Sequence, residues 1–189
     1  PYYRPRETHL RYVITAWMNR CHDGRRFDGT AGNLYPAEHV ESLLQTYRHV
    51  DWNDNVRGVY SMALRTWAKQ KLEPGETEPN PLHRVVALLN ELGERNGSYD
   101  AYACNWVLDA CCTKQETEEG RREAYDIAME TFRKGKRNPR TFVLLMKVLR
   151  AQYPEFEKNE HTLVEELFVE CCSLGFLSQK MVWEIANVA

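Results

Sequence analysis

The residues best suited to chemistry form a cluster of cations in the second half of the chain. Arg133–Arg137 is a basic run interrupted by a single glycine, and Arg140 follows it closely. Clustered Lys and Arg side chains neutralise phosphate groups. The candidate phosphate contacts are Lys134, Lys136, Arg137 and Arg140. The same run also suits the C-terminal end of a helix, where cations complement the helix dipole and stay solvated. The pattern therefore predicts a polyanion contact or an exposed helix end.

The cysteines and histidines do not form a metal-binding or catalytic motif. Of the six cysteines, four form the adjacent pairs Cys111-Cys112 and Cys171-Cys172. Adjacent residues on a helix project about 100° apart, so such a pair does not converge on one ion as Cys-x-x-Cys does. The histidines are scattered, and no phosphate loop, nucleophile elbow or metalloprotease motif occurs. We expect no metal, no cofactor and no enzymatic activity.

The overall composition is typical of a globular chain from a reducing compartment. The 189 residues carry a formal net charge of −2, and 43% of them are hydrophobic. This charge excludes a strongly basic nucleic-acid-binding tail, but not a chain with one basic face. No segment approaches the roughly 18 uninterrupted apolar residues of a membrane helix, so no membrane insertion is expected. The cysteines lie mostly in apolar stretches, where reduced thiols pack as small hydrophobic groups.

A pattern repeated four times must position these residues. Each unit has an apolar helix-like stretch, a polar break and a second apolar helix-like stretch. The units span roughly 5–52, 53–97, 98–137 and 138–175, followed by a cap over 176–189. Self-similarity at roughly 35 to 50 residues is typical of a solenoid, because a single helical pair cannot bury its apolar face without neighbours. We therefore predict an all-α fold of about four helical hairpins and a capping ninth helix, in one domain over 1–189.

Capping residues and glycines predict where several helices begin and end. Asn80, Asp100 and Asn138 precede apolar helical stretches, and they are predicted to be N-caps. Gly93 and Gly175 follow such stretches and are predicted stops.

Apolar residues at helical spacing predict which side chains are buried. In the first helix they recur at the i, i+3, i+4 and i+7 positions of one face. Trp17 and Trp67 occupy equivalent places on two such faces, which indicates packing. The other predicted core residues include Leu10, Val13, Ile14, Phe168, Met181, Val182, Ile185 and Val188.

The third unit resembles a pentatricopeptide repeat. Asp100–Cys111 is similar to the first helix of such a repeat, and Gly120–Ala124 resembles the entry to its second helix. Asn138–Phe142 and Glu165–Leu177 repeat the pattern in the fourth unit. The resemblance implies a right-handed α-solenoid of about four helix-turn-helix repeats with a C-terminal capping helix. These units are longer than repeats of that family, and a tetratricopeptide array or another helical-hairpin scaffold has a comparable period.

The resemblance also implies a ligand. In that family the first helices line the inner surface of the superhelix, and one residue near the start of each contacts a base edge of single-stranded RNA. The matching positions are Arg11, Ser61, Asn105 and Val143, with helper positions Val56, Asp100 and Asn138.

These positions match the family's base-recognition pairs only in part. Ser61 with Asp100 resembles a purine-recognising pair. Asn105 with Asn138 resembles a pyrimidine-recognising pair. Arg11 matches no usual combination, and the valine in the fourth repeat has no hydrogen-bonding group. Short polar residues near helix starts also act as caps or lie on a solvated face.

Two functions follow as expectations. The first is non-catalytic binding of single-stranded RNA during gene expression in a plastid or mitochondrion; no targeting peptide is visible. The second is a protein–protein interaction scaffold or a structural subunit of an organellar complex. RNA binding requires positive potential on the surface of the first helices, whereas a scaffold would expose apolar patches there. The four units could also belong to a longer array or a larger assembly.

Overall fold

The described parts of the chain are helical. The computed structural model of the protein describes residues 7–20, 34–46, 56–73, 75–152 and 158–186. These ranges contain nine α-helices and no β-strand, which confirms the all-α class. The helices are α1 Glu7–Met18, α2 Pro36–Thr46, α3 Val56–Lys69, α4 Pro81–Asn96, α5 Ala101–Cys111, α6 Glu118–Lys134, α7 Pro139–Gln152, α8 Lys158–Ser173 and α9 Gln179–Ala186. Within the same ranges, no helix has the length and apolar character needed to cross a membrane.

The predicted helix starts are confirmed. The side chains of Asn80, Asp100 and Asn138 each accept a hydrogen bond from a backbone N–H two or three residues later, at 2.9, 2.9 and 3.1 Å. Each bond satisfies a donor that has no partner inside the helix. Pro81 and Pro139 are the first residues of their helices, where a missing N–H costs nothing.

The predicted stop at Gly175 is also confirmed. Its φ is +68°, a conformation that glycine adopts without steric cost. The N–H of Phe176 donates to the carbonyl of Cys171 at 2.9 Å, and that of Gly175 donates to Cys172 at 3.0 Å. This pair of bonds is the Schellman arrangement, which satisfies the last carbonyls of α8.

The predicted stop at Gly93 is wrong. Helix α4 continues to Asn96, and Gly93 lies buried inside it beside the buried Leu92. A glycine inside a helix costs only roughly 1 kcal/mol relative to alanine, so continued burial of the apolar face outweighs it. The left-handed glycine that follows the helix is Gly97, with φ +64°.

The chain divides into two compact units, Pro1–Arg95 and Asn96–Ala189. The division falls beside the predicted boundary between the second and third repeats. In the first unit α1 packs against α2 and α3, and α2 packs against α3. The buried side chains of this unit include Ile14, Val40, Leu44, Ala63, Leu64, Val85 and Leu88.

A buried carboxylate connects three helices of the first unit. Glu41 on α2 is 8% exposed. It accepts a hydrogen bond from the Trp67 indole N–H at 2.9 Å and one from Arg84 Nε at 3.1 Å, and it forms an ion pair with the same guanidinium. Trp67 is 1% exposed, which confirms its predicted packing role. Trp17 is half-buried, and its ring stacks on His39 with centroids 4.1 Å apart.

Helix α7 is the centre of the second unit. It packs against α5, α6, α8 and α9, and Phe142, Leu145 and Leu149 are completely buried. Near its end, Gln152 is 1% exposed. The Gln152 amide donates to the carbonyls of Cys111 and Thr113 at 2.6 and 2.8 Å. Because the last carbonyls of a helix have no partner within it, this side chain completes the end of α5.

Three predicted core residues are wrong. Val13, Phe168 and Val182 are 44%, 37% and 49% exposed. In each case the apolar stripe is wider than the area that neighbouring helices cover. In α9, for example, Met181 and Glu184 are the buried residues, and Val182 lies to one side. Val188 lies outside the described residues.

Candidate nucleic-acid interface

In the predicted base-recognition pair of the third repeat, Asn105 is buried and Asn138 is half-buried. Asn105 is 3% exposed, and its Nδ2 donates to Asn138 Oδ1 at 3.2 Å. The Thr141 hydroxyl donates to Asn105 Oδ1 at 2.9 Å. Asn138 also caps α7 through its bond from the Thr141 N–H. Both ends of the Asn105 amide are therefore used to join α5 to the start of α7, and contact with a base would require these bonds to break.

The other predicted base-recognition positions are distributed between the two units. In the first unit Arg11 is exposed on α1, Ser61 is half-buried on α3, and Val56 is the first residue of α3. In the second unit Asp100 is the N-cap of α5. Val143 on α7 is 4% exposed and packs in the core.

The basic run divides into structural and exposed cations. Arg137 forms an ion pair with Glu170 and donates to the Phe132 carbonyl at 3.2 Å, so it joins α6 to α8. Lys134 pairs with Glu130 one turn earlier, and this hydrogen bond raises the pKa of Lys134. Lys136 is exposed, and its backbone N–H donates to the carbonyl of Tyr99 at 3.1 Å.

The glycine within the run lies against α5. A Cβ built on Gly135 would clash with Cys104 Sγ, and it would lie 3.0 Å from the Thr131 carbonyl oxygen and 3.2 Å from Cys104 Cβ. No side chain fits at these distances without movement. Gly135 therefore lets the loop that carries the basic run pass close to α5.

Charge is separated by helix. We call α1, α3, α5 and α7, the earlier helix of each consecutive pair, first helices, and we count α9 with them because it packs against α7. In the second unit, α5, α7 and α9 together carry four basic and two acidic residues. Helices α6 and α8 together carry five basic and nine acidic residues. In the first unit α1 and α3 carry four basic and one acidic, against two basic and four acidic on α2 and α4. The net charge of −2 thus conceals basic first helices in each unit.

Cations and aromatic rings lie together on the first helices of the second unit. The Arg140 guanidinium on α7 lies 5.2 Å from the Trp106 ring centroid on α5, and that of Arg150 lies 5.5 Å from Trp183 on α9. Tyr102, one turn before Trp106, is 74% exposed, and Trp183 is 56% exposed. We call this surface the α5–α7–α9 face. Its defining residues are Tyr102, Trp106, Arg140, Lys147, Arg150 and Trp183.

A buried acid holds α9 against the centre of this face. Glu184 is 1% exposed. Its carboxylate oxygens lie 3.7 Å from Lys147 Nζ and 3.0 Å from Arg150 Nη1. The side chains of Lys147 and Arg150 remain 34% and 39% exposed. One carboxylate thus offsets one of two cations, and the group retains a net positive charge.

The thiols of the second unit are packing groups. Burial, and secondarily the charge of Asp100, raises the pKa of Cys104 to about 12, and burial also raises the pKa of Cys111 and Cys171. These thiols are therefore protonated and poorly nucleophilic at neutral pH. In the described ranges, no group of three or more His, Cys, Asp and Glu side chains is placed to hold a metal ion.

Residue types alone did not indicate the α5–α7–α9 face. Tyr102 and Trp106 are spaced one turn apart on a helix whose apolar stripe lies elsewhere, and Lys147, Arg150 and Trp183 follow no motif. Counting charges helix by helix, instead of over the whole chain, would have revealed the basic first helices.

Comparison with known proteins adds no assignment. No protein-family model, curated protein or solved structure matches the chain. The candidate interface therefore depends on the chain's own residues: three cations on α7, flanked by aromatic rings on α5 and α9.

Proposed function

We propose that this chain is a non-catalytic protein that binds single-stranded RNA through the α5–α7–α9 face. The observation that carries the proposal is the pairing of Arg140 with Trp106 and of Arg150 with Trp183. Cations hold phosphates, while aromatic rings stack on unpaired bases. A duplex hides the faces of its bases, so this combination suits a single strand.

The packing order supports a helical-repeat arrangement within this proposal. In the second unit α5 packs against α6 and against α7, and α7 packs against α8 and against α9. In a stacked array, each first helix contacts its own partner and the next first helix. Such stacking would place first helices side by side on one surface. We therefore propose that the helices form a right-handed solenoid of pentatricopeptide-like repeats. Membership of that family stays a prediction.

A protein-interaction scaffold is the second candidate, and it depends on a different surface. Apolar side chains are exposed in the segment from α8 to α9. They are Phe168, Val169, Leu174, Leu177 and Val182, with exposed fractions from 37% to 65%. Exposed apolar clusters are typical of protein contacts. The α5–α7–α9 face, where the RNA proposal requires positive charge, combines cations with exposed aromatic rings.

The proposal can be tested by salt-dependent RNA binding. Each phosphate contact with a single strand contributes about −0.7 to the slope of log K against log salt. Three cations on α7 therefore predict a slope of about −2. The measurement is fluorescence anisotropy of a labelled, mixed-sequence RNA oligonucleotide at several salt concentrations.

A charge reversal on each type of helix provides the matched comparison. Arg140→Glu changes the proposed interface, whereas Arg122→Glu makes the same change at an exposed position of α6. We expect Arg140→Glu to weaken binding by roughly tenfold and to flatten the salt slope by about one contact. Arg122→Glu should have little effect. Equal effects of the two variants, or no binding at low salt, would refute the proposal and favour the scaffold.

The cellular location is a separate proposal. A protein that binds RNA during organellar gene expression would be found in a plastid or mitochondrion. Immunofluorescence with an antibody against this chain, in the cells that produce it, would test this location. Signal confined to the cytosol would contradict it.

A further inference from the structure

Two large aromatic side chains on the α5–α7–α9 face are unusually exposed. Tyr102 on α5 is 74% exposed, and Trp183 on α9 is 56% exposed. Both helices pack against α7, which carries Arg140, Lys147 and Arg150. Aromatic rings bury much apolar surface when they are covered. Two exposed rings on a face that carries cations indicate a surface that a ligand with flat apolar faces covers.

The cations on α7 are far enough apart to contact more than one phosphate of an RNA strand. At a rise of about 1.5 Å per residue, Arg140 and Arg150 are separated by roughly 15 Å along the helix axis, with Lys147 between them. Arg140 and Arg150 each lie over a tryptophan ring, at 5.2 and 5.5 Å from the centroids. A base that stacks on this surface would therefore have a guanidinium within reach of its phosphate.

In the second unit, the residues that the repeat pattern predicts for base recognition have structural roles. Asn105 and Val143 are only 3% and 4% exposed. The Asp100 side chain accepts the Ala103 N–H at 2.9 Å as a helix cap. The face thus offers ring surfaces and positive charge, which every base and every phosphate can use.

We propose that the α5–α7–α9 face holds RNA by stacking unpaired bases on Tyr102 and Trp183, and that it binds unpaired strands with little dependence on sequence. This inference rests on the proposed RNA-binding function and specifies its ligand class. It differs from recognition of one base edge per repeat, in which a polar side chain selects each nucleotide.

Ring-removal variants and ring-preserving controls test the inference. Tyr102→Ala and Trp183→Ala remove the stacking surfaces, whereas Tyr102→Phe and Trp183→Phe retain an aromatic ring at the same positions. Each alanine variant should weaken RNA binding by roughly tenfold or more, and each phenylalanine variant should stay within a few-fold of the parent chain. Circular dichroism melting of all four variants would verify that they are folded.

The ligand series uses homopolymeric RNA and a duplex. Oligo(A), oligo(U) and oligo(C) of equal length should bind within about tenfold of one another, and a duplex of the same length should bind more weakly. Tryptophan fluorescence provides a second readout, because a base stacked on Trp183 should quench its emission. That part of the quenching should disappear in Trp183→Phe.

The possible outcomes distinguish failure of the stacking inference from failure of the proposed RNA-binding function. If no RNA binds at low salt, the proposed function fails. If RNA binds with a salt slope but Tyr102→Ala and Trp183→Ala match their phenylalanine controls, stacking is refuted while RNA binding stands. A strong preference for one homopolymer, or equal affinity for the duplex, would likewise refute the stacking mode.

Discussion

Replacing Asn105 with alanine distinguishes a structural role from base recognition. The substitution removes two hydrogen bonds, the one from Asn105 Nδ2 to Asn138 at 3.2 Å and the one from Thr141 at 2.9 Å. Each bond contributes about 0.5–1.5 kcal/mol net to stability. Thr141 keeps its contact with Asn138 Oδ1 at 3.2 Å, so its hydroxyl is not left without a partner. We therefore expect the free energy of unfolding to fall by about 1–3 kcal/mol.

The measurement is urea unfolding followed by circular dichroism, with thermal unfolding as a second readout. For a chain of this length, 1 kcal/mol corresponds to roughly 2–4 °C in melting temperature. Asn90→Ala is the matched control, because Asn90 is exposed on α4, where removal of the amide should leave stability nearly unchanged. In the RNA assay, Asn105→Ala should bind the three homopolymers in the same order as the parent chain.

The opposite result would overturn this reasoning. If Asn105→Ala were as stable as the parent chain and changed the preference between oligo(U) and oligo(A), the amide would be contacting a base. Thr141→Val provides an independent check. It removes the hydroxyl partner of Asn105, so its effect should be non-additive with Asn105→Ala if the two side chains share one network.

Three further predictions follow from other contacts of the second unit. Gly135→Ala should lower the free energy of unfolding by about 1–3 kcal/mol through overpacking, and the loss should be smaller in a Cys104→Ala background; additive effects in a double-mutant cycle would contradict the proposed clash. Because the pKa of Cys104 is raised from 9.0 to about 12, its protonated form stabilises the fold below pH 9, and this contribution is lost as the pH rises toward 12. At pH 10, urea titrations should show a loss about 1 kcal/mol larger for the parent chain than for Cys104→Ala, because Cys111 and Cys171 titrate in both chains. Glu184→Gln should destabilise the chain by roughly 1–3 kcal/mol. It should also strengthen RNA binding severalfold, because it leaves Lys147 and Arg150 without their acid. An unchanged RNA affinity, equal to that of the exposed control Glu166→Gln, would count against the interface.

Local rules account for the part of the fold that the sequence predicts. An N-cap such as Asp100 acts on a residue three positions away, and a C-terminal glycine such as Gly175 acts within one turn. The helix ends can therefore be predicted from residues that are close together in the sequence. Gly93 shows the limit of such a rule, because tertiary burial can continue a helix through a glycine.

The candidate site was less predictable, for a physical reason. Asn105 near a helix start has the same local sequence features whether it faces a ligand or the core. Its burial depends on Asn138 and Thr141, which are 33 and 36 residues away in the chain. The contact between Trp183 and Arg150 likewise depends on the docking of α9 against α7. Periodicity predicts a stripe on one helix, but not which neighbour covers it.

The shared carboxylate of Glu41 has a consequence for dissecting the protein. Proteins assembled from similar hairpins are commonly shortened or extended one hairpin at a time, because each hairpin contacts only its neighbours. Here an acid on α2 depends on an indole from α3 and a guanidinium from α4. A fragment that ends before α4 would leave the buried Glu41 carboxylate without the Arg84 guanidinium that neutralises it. A truncated fragment, or a version moved into another protein, should therefore keep α2, α3 and α4 together.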